Sequence, residues 1–195
     1  MKKVLNPFRY LAMRQIGCWG VAMLIMTAIY CWLLPLKMTS LTQVAILLEQ
    51  PRLWMSTVEQ LAVWLIFALV LYVIGKIFST SQVRLQDVAA YNLFARIPFD
   101  FMLLMYAMPE VKSVMFKMQL LGEAVAAGAN PDLSVVTQYM STILLVGAVS
   151  ILFSAWYFYW SYKGFAEATN LRNGKGVLLF VVGYLIAYVA SGYLL

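Results

Sequence analysis

Five stretches of this chain run for about twenty residues with few or no charges, and polar breaks separate them. A helix rises 1.5 Å per residue, so about twenty apolar residues cross a hydrocarbon core roughly 30 Å thick. On that measure the spans fall at about 16–34, 54–78, 88–108, 135–162 and 176–195. The fold class expected is all-α: a polytopic integral membrane bundle of five transmembrane helices, with residues 1–195 as one domain.

The boundaries follow local chemistry. The first span, with Trp19 and Trp32 towards its two interfaces, ends at Pro35. It is too long for the apolar core of a signal peptide and lacks small residues at its end, so it reads as an uncleaved helix. Before it, residues 8–14 fit a short interfacial helix with Phe8 and Tyr10 turned inward. Residues 37–52 keep a helical period (Leu41, Val44, Leu47, Leu48) and are expected to lie along the outer interface. Residues 79–86 form a turn, and Asp87 reads as the N-cap of the third span. Pro98 interrupts that span and Pro109 closes it. Residues 115–127 read as an amphipathic helix, and 127–131 as a break. The fourth span ends in Trp156, Tyr157, Phe158, Tyr159, Trp160 and Tyr162, an expected interfacial aromatic belt. Residues 163–175 read as a polar turn with Glu167 solvated.

Composition narrows the class further. The chain is 64% hydrophobic and 11% charged, against about half and a quarter in a soluble domain. Its net charge of +6 is better explained by retention of Lys and Arg on the cytoplasmic face than by nucleic acid. There is no histidine, which removes His-based zinc sites, Ser-His and Cys-His pairs and histidine relays. The Gly174-Lys175-Gly176 run lacks the spacing of a phosphate loop. Cys18 and Cys31 lie about 20 Å apart along one helix, too far for a disulfide. No cofactor, metal or enzymatic activity is expected.

Orientation follows from the short loops. With five spans, Lys2, Lys3, Arg9, Arg14, Lys76, Arg84, Lys163, Arg172 and Lys175 share one side, and Lys37, Arg52, Lys112 and Lys117 the other. A re-entrant third segment would weaken that bias from nine against four to eight against five. Five spans with the N-terminus cytoplasmic and the C-terminus outside are therefore expected, in a bacterial inner membrane.

Two constellations carry candidate chemistry. Arg96, Pro98 and Asp100 stand mid-span, with Glu59 near the start of the second span, close enough to the interface to stay wet. Arg96 and Asp100 are four apart and share a helix face. Each charge is expensive in lipid unless paired or wet. They are either a polar site for a substrate, ion or lipid headgroup, or a structural pair satisfying the carbonyls that Pro98 frees. The second constellation is small residues at helical spacing: Gly147, Ser150 and Ser154 on the fourth span, and Gly183, Ala187 and Ser191 on the fifth. Such residues let helix backbones approach closely, and the short loop between these spans predicts an antiparallel pair.

Three blocks resemble the Yip1 domain family of five-span membrane proteins. They are the lead Leu5-Asn6-Pro7-Phe8-Arg9-Tyr10; the centre from Gly75-Lys76-Ile77-Phe78 through Val83-Arg84-Leu85 to Ala95-Arg96-Ile97-Pro98; and Trp160-Ser161-Tyr162-Lys163-Gly164-Phe165 through Leu171 to Gly174-Lys175-Gly176. The resemblance implies five spans, a cytoplasmic N-terminus and a non-enzymatic role in membrane organisation or trafficking. Its partners would be the bilayer and other membrane proteins or a second copy. The GTPase partner of the eukaryotic relatives does not carry over, because only about fifteen residues precede the first span and no Tyr-Gly-Pro stretch is present. The rival expectation is a small-solute or ion transporter, or a subunit of one, using Arg96, Asp100 and Glu59.

Overall fold

The structure, a computed structural model, describes residues 6–130 and 134–194. Lys2, Lys3, Leu5, Pro131 and Leu195, which figure in the expectations above, lie outside the described residues. The order is α1 (Met13–Leu33), β1 (Leu36–Met38), β2 (Val44–Ile46), α2 (Leu53–Phe78), α3 (Leu85–Ala95), α4 (Ile97–Leu103), α5 (Pro109–Ala126), α6 (Ser134–Gln138), α7 (Met140–Thr169) and α8 (Gly174–Leu194). Pro7–Arg9 and Leu104–Ala107 are single 3-10 turns. Among the described residues, five helical segments are long and apolar enough to cross a membrane: α1, α2, Leu85–Ala107, α7 and α8. The chain is thus an all-α bundle with one small hairpin.

The third segment is the axis of the bundle. Of its apolar window 61% is buried, against 11–28% in the other four. It touches α1, α2 and α7, while α8 packs on α2 at the far side. Three helix faces can enclose one helix only if backbones come close, and glycine supplies the notches. A Cβ on Gly20 would meet Leu93 at 2.9 Å, and one on Gly75 would meet Thr169 at 2.6 Å. These notches, rather than the small residues singled out above, seat α1 on α3 and α2 on α7.

The last two spans do lie against each other, but not through the small residues expected to join them. Gly183 sits against Leu71 and Ile74 of α2, and Ser191 meets Ser40 at 3.0 Å. Gly147 has nothing within 4 Å of where its Cβ would stand, and Ser150 and Ser154 are half-buried. Between α7 and α8 stand aromatic rings instead: Phe158 lies 5.0 Å from Phe180 and 5.2 Å from Tyr184, centroid to centroid. Rings of that size hold two backbones apart.

Residues 37–52 are not an interfacial helix. Leu36–Met38 and Val44–Ile46 pair antiparallel, with Leu36 opposite Ile46, and the turn closes through a Thr39 N–H donated to Gln43 O at 3.0 Å. Leu36 and Met38, and Val44 and Ile46, alternate with the period of a strand, in competition with the helical period of Leu41, Val44, Leu47 and Leu48, and burial decides between them. Leu36, Met38 and Leu41 are all at most 1% exposed, tucked back into the bundle. Gln119 of α5 clamps the free edge of this hairpin: its Oε1 accepts from Ile46 N at 2.8 Å and its Nε2 donates to Ile46 O at 3.4 Å.

Two more boundaries shift, and two sets of side chains face otherwise than expected. Arg84 rather than Asp87 is the N-cap of α3, and Asp87 sits in the first turn, where it still complements the helix dipole. α7 runs from Met140 to Thr169, so residues 163–169 are helical and not a turn. The aromatic belt divides: Trp156 and Tyr159 face outward, while Tyr157 and Trp160 are core. Among the N-terminal residues Phe8 is buried but Tyr10 is 51% exposed, so only one of the two turns inward.

Candidate intramembrane polar site

The site begins with a backbone interruption. Pro98 has no N–H to give to Phe94 O, so α3 closes with Arg96 N on Leu93 O at 3.4 Å. The helix restarts with Pro98 in the first turn of α4, where a missing N–H costs nothing, and Asp100 N donates to Arg96 O at 3.1 Å. The helix is therefore interrupted at Arg96 alone, and Arg96 and Asp100 remain one turn apart on the same face. Asn92 continues that face one turn earlier.

All three side chains are buried: Asn92 is 5% exposed, Arg96 5% and Asp100 7%. The Arg96 guanidinium donates through Nη2 to Gln60 Oε1 of α2. Gln60 in turn donates through Nε2 to Cys31 Sγ of α1 at 3.4 Å. Arg96 Nε stands 3.6 Å from Asp100 Oδ1, an ion pair without a formed hydrogen bond. The Phe99 ring lies below the guanidinium at 5.9 Å. Thr27 of α1 lies against the Asp100 carboxyl, but its one hydroxyl proton goes to Met23 O at 2.8 Å.

Hydrogen-bonding capacity is left over. Arg96 Nε and Nη1, Asp100 Oδ1 and both amide atoms of Asn92 are buried without a hydrogen-bond partner. A guanidinium has five N–H donors, and here one is engaged. Buried polar groups are normally satisfied, so this surplus on three successive turns of one face is what distinguishes the site.

Glu59 does not join it. That residue is 7% exposed rather than wet, and it accepts from Met38 N of β1 at 3.4 Å. The four candidate polar residues therefore separate into Arg96, Pro98 and Asp100 in the interior, and Glu59 under the hairpin. Gln60, which sequence reasoning passed over, is the cross-helix partner of Arg96. Its signal was available: Ser56, Gln60, Val63, Phe67, Leu71 and Ile74 form the buried stripe of α2.

Both ends of the interior are closed by the chain itself. At the hairpin end stand Leu36, Met38 and Leu41. At the other, Phe8 enters as a plug, with Tyr91 at 5.2 Å, Phe94 at 5.8 Å and Trp160 at 6.4 Å. The plug is tied by Glu167, which is not simply solvated. Its carboxylate accepts from Arg9 Nε at 2.6 Å, Arg172 Nη2 at 2.7 Å and Asn6 Nδ2 at 3.2 Å. Among the described residues no group of three or more Cys, Asp or Glu could hold a metal ion.

No family model, no curated protein and no solved structure matches this chain.

Proposed function

We propose that this chain is a non-enzymatic, Yip1-like multi-pass protein of the bacterial inner membrane that binds or organises other membrane components. The observation that carries the reading is the closure of the polar interior by Phe8 at one end and the hairpin at the other. With the interior shut, the surfaces left for recognition are the apolar perimeter and the platform that β2 makes with α5. Shallow cavities of about 380 and 400 Å³ lie along that platform, beside Met115 and Met118 in one and Leu47 and Phe116 in the other. The Lys and Arg bias puts the plug end in the cytoplasm and the platform outside. The natural partners are lipids and other membrane proteins, including a second copy.

A photo-crosslinking residue at Leu48, which is 85% exposed, tests the reading in intact membranes. Discrete protein or lipid adducts are expected. Absence of adducts, together with solute flux in proteoliposomes that Asp100→Asn abolishes, would replace it with the transporter reading. The one observation favouring that second reading is the unsatisfied atoms of Arg96 and Asp100.

A further inference from the structure

Between α1 and the third segment lies a slot of about 110 Å³. Met23, Thr27 and Tyr30 form one wall, and Asp100 forms the floor. The rim is Met26, Phe101 and Leu104, which are 61%, 50% and 49% exposed on the perimeter of the bundle. Apolar side chains exposed on the flank of a spanning helix face hydrocarbon, so the slot opens sideways into lipid. Asp100 is part of its lining, and this carboxylate is short of donors: its Oδ1, on the side of Arg96 Nε, is buried without a hydrogen-bond partner.

We propose that this slot binds the hydroxyl head of a neutral membrane lipid, of the diacylglycerol or long-chain alcohol class, with Asp100 as the acceptor. The proposal rests on the reading of the protein as a binder of membrane components and says which kind. Charge selects the head. Arg96 and Asp100 together are neutral, so an ammonium would leave a net positive charge in the interior, and an anionic head would meet the Asp100 carboxylate. A neutral donor avoids both penalties. Depth selects it again. Asp100 lies seven residues before Ala107, about 10 Å along the axis from the end of the segment at 1.5 Å per residue. A hydroxyl can be carried that far into hydrocarbon if it finds an acceptor, whereas an ionised or zwitterionic head gives up much more hydration. Size agrees: at roughly 30 Å³ per water-sized group, the slot takes about four such groups, enough for a hydroxymethyl head and the first atoms behind it. The tail would leave between Met26 and Leu104 into the bilayer. Tyr30 is not a competing donor, because its hydroxyl is given to Leu104 O at 3.2 Å.

The test uses the full chain in nanodiscs with three photoreactive probes of one tail length, ending in a hydroxyl, an amine and a carboxylate. The hydroxyl probe should label peptides containing Met26 or Phe101 at least fivefold above the other two, and excess unlabelled diacylglycerol should compete. Met26→Trp fills the mouth without touching the ion pair, so it should cut labelling at least fivefold while leaving the melting temperature unchanged. Equal labelling by all three probes, or full labelling of Met26→Trp, would overturn the proposal. Labelling spread evenly onto α8 would do the same. Adducts persisting at Leu48 in such a case would show that the slot alone had failed. Loss of those adducts with Asp100-dependent flux would mean that the broader reading had failed.

Discussion

Two arginine–carboxylate groupings in this protein solve the same problem in opposite ways. At the plug end, one carboxylate receives two guanidinium groups and an amide at 2.6–3.2 Å, and both arginine side chains are half in solvent. In the bundle interior, one guanidinium and one carboxylate stand 3.6 Å apart with side chains 6% and 4% exposed, and three of their atoms are unpartnered. Where water reaches, the carboxylate is over-supplied with partners and any one of them is dispensable. Where water does not reach, the partners are too few and none is dispensable. The difference predicts how each grouping responds when it is cut.

The largest effect is expected in the interior. Asp100→Asn leaves Arg96 buried and uncompensated, at a cost of about 3–5 kcal/mol. Pairing it with Arg96→Gln should recover more than half of that loss in a thermal unfolding series in mild detergent. Strictly additive losses would mean that the two charges do not depend on each other. Next comes Phe8→Ala, which empties a site 5% exposed among three aromatic rings. Truncating a core Phe costs about 3–5 kcal/mol, and a plug carried on a three-residue turn rather than in a spanning helix should place this change near the lower figure. Faster proteolysis before Met13 would accompany it. If stability were unaffected, the plug would be a bystander and the interior would be open at that end.

Gly183→Leu should cost roughly 1–3 kcal/mol by forcing α8 away from α2, since its Cβ would already meet Ile74 at 2.7 Å. Gly147→Leu, with open space around it, should change the melting temperature by less than a degree or two on the same scale. Equal effects from the two would put the close contact between α7 and α8 after all. The smallest effect belongs to Glu167→Gln, below about 1 kcal/mol and shrinking further as salt is added. A loss as large as that of Asp100→Asn would erase the contrast between the two ends.

The spans were legible because lipid imposes a simple rule on the chain: about twenty apolar residues and satisfied backbone. The predicted second span, 54–78, matches α2 to within one residue. What the pattern conceals is which neighbour each helix chooses. Hydropathy is nearly uniform around a helix in lipid, so it carries no direction. Gly75 and Gly20 looked like any other glycine, and their role shows only once Thr169 and Leu93 arrive beside them. Adjacency in sequence found α7 and α8 as neighbours but not how they meet, because a short loop fixes that two helices are near at one end and says nothing about the rings spaced along them. At the polar site, charge drew the eye to Arg96 and Asp100. The uncharged Gln60 and Asn92 were passed over, although burial treats an amide almost as severely as a charge when no partner is present.

The clamp of Gln119 on Ile46 has a consequence for how anything could dock on the platform. A two-stranded ribbon has an outer edge, and an outer edge invites a visiting strand to extend the sheet. Here the amide takes both the donor and the acceptor that Ile46 would show to such a visitor, so it acts as a one-residue third strand. Recognition at the platform is thereby turned away from backbone pairing, which is indifferent to sequence, and left to side chains. A partner seated there has to be chosen for what its residues are.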